Sequence, residues 1–229
     1  MMARRSVLGL MAGGISALLS GCGLFGGNSY RFKMTVEVET PQGLRTGSSV
    51  YEVIVRSKAG LDPSGKVREK KLRGEAVAVD LPGGHTLFAL LKTVNPMRED
   101  LALMSMAALD PTFHNDWVES TARIAGEDGI RSPAEVLPSD YPRLVSFRDI
   151  RDPSSVERVD PANLAANSGS GVTLKRITVE VTDQDVTTGI EKRLGWLTEL
   201  KGGYLHRGFS SRGAPLGLSG IDFSTEIFQ

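Results

Sequence analysis

Tyr30-Arg31-Phe32-Lys33-Met34-Thr35-Val36-Glu37-Val38-Glu39-Thr40 alternates without a break. Tyr30, Phe32, Met34, Val36 and Val38 fall on one side, and Arg31, Lys33, Thr35, Glu37 and Glu39 on the other. Successive side chains of an extended chain point to opposite faces, so the stretch predicts a strand with one face in a core and one in water. Pro41-Gln42-Gly43 ends it. The pattern returns over 49–58 with Tyr51, Val53 and Val55, and over 75–81 with Val77, Val79 and Leu81. Residues 59–73 between them read as a polar, charged loop. After the Pro82-Gly83-Gly84 turn, 86–92 is apolar on both faces, as a central strand must be. Short connections between consecutive strands predict an antiparallel meander.

The period then changes. Asn95-Pro96 has the form of a helix start, and 97–109 is apolar nearly all round, which predicts a buried helix. A second helix is expected over 116–125, capped by Asp116 and stopped by Gly126. Residues 127–171 are rich in Pro, Asp, Ser and Asn and read as a long irregular segment. Within it, Leu144, Val145 and Phe147 return to the core. A fifth strand is expected over 172–181. Val186, Ile190, Leu194, Leu197 and Leu200 recur at helical spacing, with Thr188 and Glu191 spaced as a capping box, so 185–201 predicts an amphipathic helix. Residues 221–228 alternate like an edge strand. The expected fold class is α+β: an antiparallel sheet of about five strands, with the 97–109 and 185–201 helices on one face.

Upstream of the first strand, Leu19-Ser20-Gly21-Cys22 closes a short apolar run that follows Arg4 and Arg5. Residues 7–19 have signal-core length and fall short of the roughly 20 residues a spanning helix needs. Cys22 is the only cysteine. The order Leu-Ser-Gly-Cys at this place resembles the lipobox of bacterial lipoproteins. The resemblance implies a diacylglyceryl group on the Cys22 thiol, cleavage just before it, and the membrane as a partner through that anchor. It implies a signal peptide over 1–21, a lipidated cysteine and flexible tether over 22–29, and one globular domain over 30–229. Gly23 stands where an aspartate often marks inner-membrane retention, which implies the periplasmic face of the outer membrane. Arg4-Arg5-Ser6-Val7-Leu8 is also similar to a twin-arginine export signal. A glycine-rich tether of seven residues reaches about 15 Å on average, so the domain is expected close to the bilayer.

Val181-Thr182-Asp183-Gln184-Asp185-Val186-Thr187-Thr188-Gly189-Ile190-Glu191-Lys192-Arg193-Leu194-Gly195-Trp196-Leu197 is similar to a stretch of uncharacterised proteobacterial proteins, a resemblance that carries no activity.

Composition narrows the function classes. The formal net charge is zero, and loss of Arg4 and Arg5 with a signal peptide leaves 25 basic against 27 acidic side chains. Sequence-independent nucleic-acid binding needs a basic surface, so no nucleic-acid partner is expected. Lipidation of Cys22 leaves no thiol for disulfides or thiolate chemistry. Gly60-Leu61-Asp62-Pro63-Ser64-Gly65-Lys66 has phosphate-loop spacing, but Val67 stands where the motif needs a hydroxyl to hold magnesium. His85, His114 and His206 are scattered, so neither metal nor cofactor is expected. His114, near Asp110 and Asp116, comes closest to an acid–base cluster, although Asp116 suits a helix cap. Residues 66–73 hold five basic side chains and one acidic one, a combination for anionic headgroups or a solvated loop. Tyr141, Arg143, Phe147, Arg148 and Arg151 pair aromatics with arginines and form a candidate interface.

The expected function is therefore a lipid-anchored cell-envelope lipoprotein, a non-catalytic binding or structural module for an envelope protein or polymer. The alternative is a lipid-anchored envelope hydrolase using His114 or paired carboxylates such as Glu127-Asp128, or Asp149 with Asp152.

Overall fold

The structure is a computed structural model that describes residues 27–59, 66–126, 129, 131–200, 203–205 and 217–227. Nine strands are present among these residues: β1 (Gly27–Glu39), β2 (Arg45–Ala59), β3 (Lys66–Arg73), β4 (Val77–Asp80), β5 (Thr86–Thr93), β6 (Ala134–Glu135), β7 (Pro142–Phe147), β8 (Val156–Val159) and β9 (Thr173–Val181). The helices are α1 (Leu101–Leu109), α2 (Trp117–Ala125) and the single turns α3 (Ala165–Ser168) and α4 (Leu197–Leu200). The fold class is α+β, as the patterning predicts.

The strands form two antiparallel sheets rather than one meander: β3-β2-β1-β9-β6 and β4-β5-β7-β8. The split falls after β3, because Gly74, with φ +138, turns the chain out of the first sheet. β1 is the central strand of the larger sheet, pairing with β2 from Gly27 opposite Arg56 to Val38 opposite Arg45. On its other side Phe32 lies opposite Val181 and Glu39 opposite Thr173 of β9. Its five alternating apolar residues are all buried.

Two apolar cores result. The principal one gathers the inner faces of β1, β2 and β9, residues from β4, the odd-numbered positions Leu87, Ala89 and Leu91 of β5, and α1. Gly47 of β2 brings the sheets together: a Cβ there would lie 2.2 Å from the Ala78 carbonyl oxygen of β4. The smaller core lies on the other face of β5. Phe88 and Leu90 meet Val145 and Phe147 of β7, Ile190, Leu194, Leu197 and Phe223. β5 is thus buried on both faces, the central position expected for 86–92. Ser105 of α1 is fully buried and bonds the Tyr30 hydroxyl at 2.7 Å and the Ala102 carbonyl at 3.0 Å.

Several elements differ from the sequence expectation. β1 begins at Gly27, so 27–29 belong to the sheet and not to the tether. Residues 66–73 form the edge strand β3, not a loop; its charges suit an edge exposed to other chains. Lys70 lays its ammonium 4.9 Å from the Trp117 ring centroid and 2.6 Å from Asp100. The first helix starts at Leu101, where the Asp100 carboxylate accepts the Leu103 N–H. Asn95 instead bonds the Met97 N–H and Asp140, closing a loop ahead of the helix. α2 matches its expected bounds, with Asp116 accepting from Val118 and Glu119.

The largest difference is in the helix expected over 185–201: its described residues, 185–200, form no continuous helix. Thr187 exchanges hydrogen bonds with Val50 of β2, and Glu75 accepts the Ile190 N–H. Gly189 takes φ +113. Backbone donors committed to tertiary partners cannot form an i to i−4 ladder. Two short turns, Ile190–Lys192 and Leu197–Leu200, bury the apolar positions separately. Residues 221–227 of the tail form no edge strand either: reciprocal bonds between Ser219 and Asp222 close a turn, and Ser224 bridges to Glu75, while 228 lies outside the described residues.

Candidate functional site

The loop between β7 and β8 carries the most chemistry exposed in one place. Register starts it: Phe88 of β5 lies opposite Val145 of β7, so the end of β7 meets the Pro82–Gly84 turn ahead of β5. Beyond Phe147 the chain turns on itself around the buried Ser155. That hydroxyl bonds the Asp149 and Asp152 carbonyls at 2.8 Å, and the Asp149 N–H reaches it at 3.1 Å. Asp152 caps the following turn through the N–H and hydroxyl of Ser154. Trp196 donates its indole N–H to the Ile150 carbonyl at 2.8 Å, fastening the loop to the smaller core. These hydrogen bonds brace the loop from within and against the smaller core.

A groove of about 430 Å³ runs along this loop. Phe88 and Phe147 form its base, and Gly83, Gly84, His85 and Thr86 face Arg148 and Arg151 across it. Arg148 is paired with Glu157 at 3.0 Å and Arg151 with Asp149 at 3.0 Å, yet both guanidiniums stay largely in water. The Arg151 hydrogen bonds hold the Asp149 carboxyl below the usual carboxylate range. Surface pairs of this kind contribute little to stability and exchange readily for a ligand's oxygens.

The other expected interface residues separate from these. Tyr141 and Phe147 are buried, so they anchor the segment instead of presenting rings to solvent. Arg143 donates to the Thr93 carbonyl at 3.1 Å. Of the five, Phe147, Arg148 and Arg151 meet at the groove. His85 joins them, which local sequence could not reveal because the β5–β7 pairing spans the intervening helices. The hint in the sequence was its place directly after the Pro82-Gly83-Gly84 turn.

His114 is exposed, and its two aspartates are committed elsewhere. Asp116 caps α2 and meets Arg68 at 3.5 Å. Asp110 is buried beside a cleft of about 530 Å³ lined by Leu109, Pro111 and Ile124. Burial alone would raise its carboxyl, but hydrogen bonds from Arg123 and Thr112 overcome this and hold its pKa at about 2. Asp149 and Asp152 serve the loop turns described above. Among the described residues no group of three or more His, Cys, Asp and Glu could hold a metal. Leu19, Ser20, Gly21, Cys22, His206, 60–65 of the phosphate-loop spacing and Glu127-Asp128 lie outside the described residues.

The groove therefore offers two exposed guanidiniums and an imidazole above a floor of buried aromatic side chains, a set suited to holding a polar or anionic partner. Comparison with known proteins finds no matching family model, no matching curated protein and no matching solved structure.

Proposed function

We propose that the chain is a lipid-anchored lipoprotein of the bacterial cell envelope, held on the periplasmic face of the outer membrane, and that its domain is a non-catalytic module binding an envelope protein or polymer. The observation that carries the anchor is Leu19-Ser20-Gly21-Cys22 at the end of an apolar run in a chain with no other cysteine. The braced groove at Arg148 and Arg151 supports a binding role, because it presents charge from a preformed loop. The surroundings of His114 do not favour the hydrolase alternative, since neither neighbouring aspartate is oriented by it.

Metabolic labelling with a palmitate analogue tests the anchor: the native chain carries label and Cys22→Ser does not. Label persisting on that variant overturns the assignment. In-cell crosslinking from the groove, followed by mass spectrometry, tests the module. Arg148→Glu with Arg151→Glu is expected to lower recovery of the captured component at least tenfold, with folding unchanged.

A further inference from the structure

The start of β1 fixes which end of the domain meets the membrane. This rests on the anchored reading above. Only residues 23–26 separate Cys22 from Gly27, the first residue of β1. Fully extended, the five steps from Cys22 to Gly27 span at most about 17 Å. The Gly27 end of the larger sheet therefore cannot stand far from the leaflet that holds the lipid.

β2 runs antiparallel to β1 and continues past it. Gly27 pairs with Arg56, and β2 goes on through Ser57 and Lys58 to Ala59, paired with Arg68, Val67 and Lys66 of β3. Three further residues at about 3.3 Å each carry this ribbon roughly 10 Å beyond the tether's point of departure. The two arms, 56–59 and 66–69, hold Arg56, Lys58, Lys66 and Arg68 against one acidic residue, Glu69. Arg56 and Arg68 are exposed, and Arg68 meets Asp116 only at 3.5 Å with both side chains nearly half in water. Beside the ribbon, a cleft at Ser29 and Thr182 sets Arg31 and Arg131 against Glu52 and Asp183, and Arg31 pairs with Asp185 at 3.2 Å, so the basic excess at this end lies on the ribbon itself. Opposite charge lies in an anionic phospholipid surface, within a Debye length of about 10 Å once the tether has brought the ribbon to it.

We propose that the β2–β3 ribbon, through Arg56 and Arg68, docks on anionic phospholipid headgroups of the membrane that holds the anchor, and so sets the orientation of the domain. The opposite end of the sheet, at the Gln42 turn, then faces away. β1 is 13 residues long, which puts that turn about 40 Å from the tethered end.

Site-specific photocrosslinking in the full lipidated chain tests this. A photoreactive residue replaces exposed Ser57 in one variant and exposed Gln42 in another, and each is placed in vesicles of phosphatidylethanolamine with phosphatidylglycerol. Lipid adducts are expected at Ser57 at least tenfold above Gln42. Arg56→Glu with Arg68→Glu should lower the Ser57 yield at least threefold, as should raising the salt from about 0.05 to 0.5 M with the native arginines in place. Fatty-acyl label at Cys22, read on the same samples, separates the two ideas. Label with equal adducts at both positions, or with no dependence on salt and charge, overturns the docking while leaving the anchor intact. Absence of label overturns the anchor, and the docking with it.

Discussion

Gly74 shows how much one residue settles. It leaves β3 with φ +138, and a Cβ there would lie 2.5 Å from the ring of the fully buried Tyr51. Gly74→Ala is expected to cost about 2–4 kcal/mol through backbone strain and overpacking, read as a lower urea midpoint with an unchanged slope. Two buried carboxylates pull the pH dependence in opposite directions. The folded pKa of Asp110, about 2, lies below the ordinary value near 4. Its stabilisation is therefore complete above about pH 4 and is lost as pH falls through about 2. Asp110→Asn should flatten the fall in stability across that window. Glu75 behaves oppositely: burial raises its carboxyl, outweighing hydrogen bonds from Ile190, Gly189 and Ser224, and Glu191 adds to the rise. Stability tied to its proton is present at low pH and declines as pH rises through the raised value, and Glu75→Gln should remove that decline. None of these three roles was legible locally, because each depends on a partner brought from far along the chain.

At the scale of elements, legibility followed period and local caps. The alternation of β1, β2 and β9 and the capping of α2 by Asp116 depend on neighbours within a few residues, and the structure keeps them. The 185–201 segment shows the limit of that rule. Ile190, Leu194 and Leu197 are buried as their spacing suggests, but spacing reports burial and not the hydrogen bonds that bury them. Leu194→Ala should cost about 2–5 kcal/mol by calorimetry, because the side chain is fully enclosed in the smaller core. Thr187→Ala should cost about 1 kcal/mol by removing the hydroxyl that accepts the Val50 N–H, which would tell the observed bridge from a solvent-facing helical residue. The edge strand β3 escaped the sequence reading for a related reason. Edge strands carry charge to discourage pairing with other chains, and that charge resembles a loop. At the groove, Arg148 and Arg151 were visible as exposed cations, whereas His85 needed the sheet to reach them.

On the scale of the whole molecule, the division into two cores explains why one meander was expected. Both sheets carry the same alternation, and the close approach of Gly47 to Ala78 and the turn at Gly74 help set one against the other. The central position of β1 has a further consequence for biosynthesis. Residues 32–39 remain unpaired along one side until 173–181 have been made. A nascent chain leaving the ribosome therefore keeps this edge of β1, with its backbone donors and acceptors, open for well over a hundred residues of elongation. Such distant closure slows spontaneous refolding toward the millisecond-to-second range and leaves an open strand edge exposed to aggregation in the meantime.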